Sequence, residues 1–320
     1  MSLPGPHVSQ GGLPSPGDLP PPEVPTSARK IARARRIRAL KAGWRVFRRN
    51  PAGLWGLGIL GLFILIAVLA PFIVPYESTQ VTGGTGPYLS SPSLDYPMGT
   101  DTYNRSVLDM WIWGSRVSLI VGLAASLATM FIGSMVGIAS AYFGKSIDTL
   151  LNAVTNWFLV IPWIALAIAM ASVLGPSLLN IVLVIAITSW GTAARLIRSQ
   201  TLSVRNRNYV ERARALGASN WHIITRHVLP NVFPIIFAQT ILMVSLAILS
   251  ETTLSLIGLG DPTQPSWGGV IEQAFSAGAT TLGAWWWLFF PGMGITTTVL
   301  AFAMIGFALD EILDPRLRDR

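Results

Sequence analysis

The sequence predicts an all-α integral membrane protein with six transmembrane helices. Three observations carry that expectation. Of 320 residues, 51% are hydrophobic and only 12% charged, about half the charge of an ordinary soluble domain, and the mean hydropathy is +0.53. The charges leave uncharged gaps that can hold helices of about 20 residues, the length that crosses roughly 30 Å of hydrocarbon. Lys and Arg also gather in alternate segments between those gaps, as cytoplasmic loops do.

Residues 1–28 hold eight Pro, no Lys or Arg and few large apolar side chains. Such a composition cannot offset its ordering entropy, so a disordered tail is expected. The charged start and apolar core of a secretory signal are missing. Residues 29–49 read as a basic amphipathic helix, with Ile37, Leu40, Trp44 and Phe47 at helical spacing among ten Lys and Arg. This pattern predicts a helix lying on anionic lipid, in preference to one that binds nucleic acid.

The first span is expected at 54–74, between Arg49 and Glu77, and the second between Arg116 and Lys145. Asp148 and Arg195 enclose 46 uncharged residues, too many for one helix. Gly175-Pro176 divides them into spans three and four, because Pro176 lacks an N–H and restricts the residue before it. The fifth span is expected at 232–259 and the sixth at 285–309. Within span two, Ala125, Thr129, Gly133, Gly137 and Ala141 put a small residue at every fourth position, which lets a neighbouring helix approach closely. Pro162 is expected to kink span three.

Of the 23 Lys and Arg, only Arg105 and Arg116 fall outside residues 29–49, Lys145, the 195–230 segment and the tail from Arg316. That asymmetry puts both termini on the cytoplasmic side, in agreement with an even number of spans. Trp111, Trp113, Trp285, Trp286 and Trp287 fall at the predicted outer ends, where indole rings favour the headgroup layer, with ordinary packing as the alternative. Residues 76–115 and 260–284 are expected to be exterior loops, long enough to carry function or hold a partner.

Much chemistry is excluded. With no Cys there are no disulfides, thiolate metal sites or Cys nucleophiles. Neither His-Glu-x-x-His nor Gly-x-Ser-x-Gly occurs. Gly144-Lys145-Ser146 resembles the end of a phosphate-binding loop, but Ala139 stands where its first Gly belongs and a membrane span precedes it. His222 and His227, five apart, are expected to point in different directions on a helix, so no shared metal is expected. Glu251 is the main charge inside a span, a candidate either for a structural hydrogen-bonded role or for the substrate pathway.

The basic segment 199–230 reads as a helix from about 204 to 216, stopped by Gly217, which accepts φ > 0. Ser219 can cap a second helix that ends at Leu229-Pro230. The result is a helix–Gly–helix elbow shaped to dock in a groove. Its Glu-x-Ala-x-x-x-Gly, followed after nine residues by x-x-Leu-Pro, resembles the coupling-loop motif of ABC importer permeases at Glu211, Ala213, Gly217, Leu229 and Pro230. Arg212 stands where the motif prefers Ala, and His227 is similar to the dipeptide, oligopeptide and nickel branch. Four further blocks resemble that branch: Asn50-Pro51-Ala52-Gly53-Leu54; Pro97 to Asp101 with Arg105 to Leu108 and Gly114 to Leu119; Leu256 to Gly260 with Pro265 to Gly268; and Asp314 to Arg318.

The resemblance implies the C-type permease subunit of such an importer, a type I permease bundle with a cytoplasmic coupling helix. It implies a second homologous permease subunit, two cytosolic ABC ATPases, an extracytoplasmic substrate-binding protein, no cofactor, and a bacterial or archaeal cytoplasmic membrane. The ATPase contact is expected at Tyr209, Glu211, Ala213, Ala215, Leu216, Gly217, Ala218 and Ser219. Residues 50–112 would hold the first span and its exterior loop, 113–309 the permease domain, and 310–320 a cytoplasmic tail. Peptides are the expected cargo, with nickel or another small solute as the alternative and a secondary transporter as a remoter one.

Overall fold

A computed structural model describes residues 44–313. The expected tail at 1–28, most of the basic helix at 29–49 and the 314–318 block lie outside the described residues. The chain divides into a unit of residues 1–45 and a unit of residues 46–320, and the second carries the bundle. Its helices are α1 (Pro51–Ile73), α2 (Val107–Phe143), α3 (Lys145–Val160), α4 (Trp163–Leu174), α5 (Leu178–Arg205), α6 (Asn208–Ala215), α7 (Asn220–Ile223), α8 (Leu229–Leu254), α9 (Trp267–Ser276) and α10 (Trp286–Leu313). Five helical stretches among the described residues are long and apolar enough to cross a membrane, and the bent pair α3–α4 brings the number to six when counted as one span.

Helix α1 starts at Asn50, whose side chain accepts the Gly53 N–H at 3.0 Å, with Pro51 in the first turn where a missing N–H goes unnoticed. Trp55, Leu62, Leu65 and Phe72 face outwards, as lipid-facing residues do. Pro71 lies inside the helix and cannot donate to the Ala67 carbonyl. Arg116 of α2 supplies that bond instead, Nη1 to the Ala67 oxygen at 3.2 Å. Phe47, the last residue of the predicted amphipathic stripe, packs against Ile305 and Ala308 of α10.

The 37 residues of α2 make a rod of about 55 Å, longer than a bilayer core. Its small-residue stripe packs on α5 as predicted. A Cβ on Gly133 would lie 2.6 Å from the Ala193 Cβ, and one on Gly137 2.6 Å from the Ala194 carbonyl oxygen. The opposite face, with Ile120, Leu123, Leu127, Phe131 and Met135, is exposed and apolar.

Three expectations need correction. Pro162 does more than kink span three: α3 and α4 meet at 88°. Ile161 before it is extended (φ −71°, ψ 127°) and Pro162 is non-helical as well (φ −55°, ψ 118°), so the helix stops and restarts, as the steric clash before a proline dictates. The second correction concerns Leu229-Pro230, which does not end a helix. A π turn at Ile224–Val228 joins α7 to α8, and the Leu229 N–H reaches back to the Ile224 carbonyl. Widening the backbone just ahead of Pro230 accommodates its ring and its missing N–H without breaking the rod. The third is the exterior segment 260–284, which is no simple loop: Ser266 caps α9, accepting the Gly269 N–H at 3.1 Å, and the fully buried Trp267 is driven into the bundle against Gly114 and Gly294.

The two long connections at that end lock together. Arg105 is buried and bonded on every side: Nε to Asp101 Oδ2 at 2.6 Å, Nη1 to the Thr79 carbonyl at 3.0 Å, and Nη2 to Gln273 of α9 at 2.7 Å. The tryptophans there are packing pins. Trp267 Nε1 donates to the Trp111 carbonyl, Trp111 to Phe290, Trp113 to Val74 and Trp286 to Thr100; Trp285 is the exposed member of the triple cluster. The Tyr76 hydroxyl donates to the Thr263 carbonyl; burial, and then the Asp261 charge, pushes that phenol above its ordinary pKa.

Gly137→Val is expected to force α2 from α5 and destabilise the folded chain by about 1–3 kcal/mol, as overpacking does. Gly58→Val, where nothing lies within 4 Å of a Cβ, is the control. Thermal unfolding of both purified variants in detergent checks this; equal stability would contradict the close approach.

Candidate functional site

At the end of the bundle where α2 and α5 finish, α6 and α7 form the predicted elbow. Helix α5 continues to Arg205, so the expected helix from about 204 is divided at Asn206-Arg207, with Arg207 extended (φ −81°, ψ 140°). Helix α6 ends in a Schellman arrangement. The Ala218 N–H bonds to the Ala213 carbonyl (3.1 Å), the Gly217 N–H to Arg214 (3.0 Å), and Gly217 sits at φ +81°, a conformation that a side chain disfavours. Ser219 then caps α7, its hydroxyl accepting the His222 N–H at 3.3 Å.

Buried anchors hold the elbow to the bundle. Val204, Val210, Ile223, Val228 and Val232 join Met130, Ile138, Tyr142 and Ile197 in one apolar cluster, with Ala213 and Ala218 packed against it. The Tyr142 hydroxyl donates to Asn220 Oδ1 at 2.9 Å, and the Arg214 guanidinium lies 5.7 Å from the Tyr142 ring centre. Arg205 donates Nη1 to the Ala141 carbonyl at 2.7 Å. Beside it Arg198 makes a fork-like pair with Asp148, Nε to Oδ1 and Nη2 to Oδ2, both 2.7 Å, and Ser140 donates to the same carboxylate. This ties α5 to the start of α3.

The predicted contact residues separate into two sets. Ala213 and Ala218 are half-buried and serve the Schellman contact, whereas Tyr209, Glu211, Ala215, Leu216, Gly217 and Ser219 are exposed. Leu216 is 87% exposed at the tip, and Trp221, which sequence reasoning missed, is 75% exposed beside it. The signal for Trp221 was present: it stands two residues from Ile223 and so cannot share that buried face. Among the described residues, Glu211 has no ion-pair partner. Its place in the first turn of α6 suits a carboxylate.

The histidines depart from expectation. On an α-helix five residues would turn His222 and His227 about 140° apart. The π turn between them brings the rings together, with centroids 5.9 Å apart, and Tyr209 stands 6.0 Å from His227. Among the described residues no group of three His, Cys, Asp or Glu could hold a metal ion.

At the other end of α8, Glu251 is wholly buried. Ser255 donates to Oε1 at 2.8 Å and Ser118 to Oε2 at 3.5 Å, and Ser266 is a third hydroxyl partner. Ser118 also accepts the Trp267 N–H at 3.3 Å. The carboxyl therefore joins α2, α8 and the start of α9, and it faces serines instead of an open path.

Two family models match the sequence. The binding-protein-dependent transport system inner membrane component matches residues 129–319, and the N-terminal transmembrane domain of oligopeptide transport permease C matches residues 40–92. A dipeptide transport system permease of Alkalihalophilus pseudofirmus is 33% identical, over 93% of this chain and 94% of its own length. One from Bacillus subtilis is 34% identical, over 86% and 85%. In three dimensions the chain is similar to one from the methionine ABC transporter MetNI in an inward-facing conformation, with TM-score 0.52 and 18% identity over 64% of this chain and 94% of that one.

Replacing Glu251 by Leu is expected to strand its serine partners at about 1–3 kcal/mol for each unsatisfied buried hydroxyl, whereas Glu251→Gln keeps acceptor capacity and loses less. Unfolding temperatures of the two variants in detergent test the difference; a Leu variant as stable as the Gln variant would mean the serine cluster contributes nothing.

Proposed function

We propose a function on the premise that this chain belongs to the family of binding-protein-dependent transport system inner membrane components, in the branch of oligopeptide transport permease C. It is a multi-pass membrane permease subunit of an ABC importer and moves peptides. Such permeases are not catalytic: a separate ATPase hydrolyses ATP and a substrate-binding protein delivers the cargo. The dipeptide transport relatives that align with most of the chain carry the peptide reading.

Four finer points belong to the same proposal. The partner permease is a second, homologous chain, and two ATPases act on the pair. Both termini face the cytoplasm of a bacterial or archaeal cell, as the Lys and Arg distribution supports. The domain limits are those of the sequence reading, with 113–309 as the permease domain. The ATPase seats on the elbow at Tyr209, Glu211, Ala213, Ala215, Leu216, Gly217, Ala218 and Ser219. The observation that supports the last point is the elbow's two-sided character. Val210 and Ile223 are sunk in the bundle, while Leu216, Trp221 and the unpaired Glu211 project from it.

In mechanism, ATP-driven closure of the ATPases would press on the projecting face. The buried anchors would pass that displacement to α2, α5 and α8, because close-packed side chains transmit shifts instead of absorbing them. Opening alternates between the two membrane faces as those helices move.

Affinity purification from native membranes in mild detergent, with mass spectrometry, tests the class. A second permease and Walker-motif ATPases should accompany this chain; its recovery alone after cross-linking would count against the reading. Gly217→Asp should abolish peptide uptake while membrane insertion stays normal, because the site demands φ > 0 and the new side chain projects a charge into the contact. Wild-type uptake by that variant would remove the elbow from the coupling path.

A further inference from the structure

Helix α5 carries three arginines along its last turns, and two are accounted for. Arg198 is forked to Asp148 and Arg205 bonds the Ala141 carbonyl. Arg195 is different. It lies ten residues before the helix end, about 15 Å into the bundle, between the buried Ala194 and Ile197, yet it is exposed. Its hydrogen bond runs from Nη2 to Asn156 Oδ1 of α3 at 3.1 Å. No carboxylate pairs with it among the described residues, and the bond to Asn156 uses one of its five N–H donors.

Arg195 stands at the cytoplasmic boundary of the predicted fourth span, and the residues around it are polar. Lys145, Thr149, Asn152 and Asn156 repeat at helical spacing along α3, and Thr192, Arg195 and Ser199 do so along α5. The exposed stripe of α2, from Ile120 to Met135, has no polar member. The α3–α5 edge is therefore a polar side of the bundle. Asn152, Thr155, Arg195 and Arg198 pack together there around a crevice too narrow to admit water.

We infer that Arg195, steadied by Asn156 on the polar α3–α5 edge, lines the translocation pathway and binds the terminal carboxylate of the passing peptide. This rests on the peptide reading above. The carboxylate is the one anion that every linear peptide carries whatever its side chains, and a planar guanidinium takes it in two parallel hydrogen bonds. A lipid phosphate offers the same anionic oxygens, so the test separates the two.

The chain has no Cys, so one introduced thiol is its only reactive label. In the complete transporter in liposomes, Arg195→Cys should react with a membrane-impermeant thiosulfonate, and saturating dipeptide should slow the reaction. Leu127→Cys, on the apolar stripe of α2, should not react. In uptake assays Arg195→Gln should lower the initial rate at least tenfold and Arg195→Lys should retain most of it, with both variants assembling into the complete transporter. Four results would overturn the inference: Arg195→Cys reacting only with a lipid-soluble maleimide; labelling indifferent to peptide, with an Arg195→Gln defect confined to anionic-lipid vesicles, which assigns lipid phosphate; equal loss in both uptake variants, which marks a structural role; or normal uptake by Arg195→Gln. A wild-type transporter that moves no peptide fails the underlying reading instead, and shows it before any variant is made.

Discussion

Where Gly133 and Gly137 of α2 meet Trp190, Ala193 and Ala194 of α5, the backbones are so close that a methyl group would stand 2.6 Å from its neighbour. Apolar side chains gain little by leaving lipid for one another, so van der Waals contact between close backbones must supply the association. The rest of the elbow end follows from it. With α5 held along α2, Arg205 lies within reach of the Ala141 carbonyl and Arg198 within reach of Asp148. The same register brings Val204 and Val210 onto Ile138 and Tyr142. A wider spacing would separate all four contacts together.

A second constraint acts wherever proline interrupts a span, because a freed carbonyl in hydrocarbon needs a new donor or a new geometry. At three of these prolines the chain answers it in three different ways. At Pro71 a side chain from another helix, Arg116, bonds the Ala67 carbonyl. At Pro162 the helix stops and turns through 88°. At Pro230 the backbone widens to a π turn and keeps going. The sequence prints the same residue at all three, and the outcome depends on what stands nearby: an arginine across the interface, an open corner, or a preceding turn free to expand.

That dependence marks how far the sequence could be read. Spans, small-residue stripe, Gly217 and the Ser219 cap were all legible, since each rests on local chemistry or simple periodicity. The 88° corner, the π turn and the insertion of Trp267 were not: a proline in a span is compatible with a kink, a corner or a widened turn, and the seat of Trp267 is made by residues distant in sequence. The meeting of His222 and His227 was misread because a single wide turn changes which residues share a face. At the elbow, pattern matching named Leu216 and Gly217 but passed over Trp221. Its two-residue spacing from Ile223 held the signal, and the burial of Ile223 makes that signal plain.

Polar satisfaction within the chain is uneven, and the unevenness has a direction. At the end opposite the elbow, Arg105 is bonded to Asp101, Thr79 and Gln273, and Glu251 to serines from two further segments. Those two charges find their partners within the chain, although the buried Trp287 Nε1 and Asn104 Oδ1 nearby do not. At the elbow end, among the described residues, Glu211 has no counter-ion, Leu216 and Trp221 are largely exposed, and Arg195 makes one hydrogen bond of the five its guanidinium could donate. A chain that satisfies a buried arginine so completely at one end has no physical difficulty in doing so at the other. On the proposed function the ATPase would complete the open groups at the elbow, and on the further inference the α3–α5 edge would meet the cargo, with close-packed α2 and α5 joining the two.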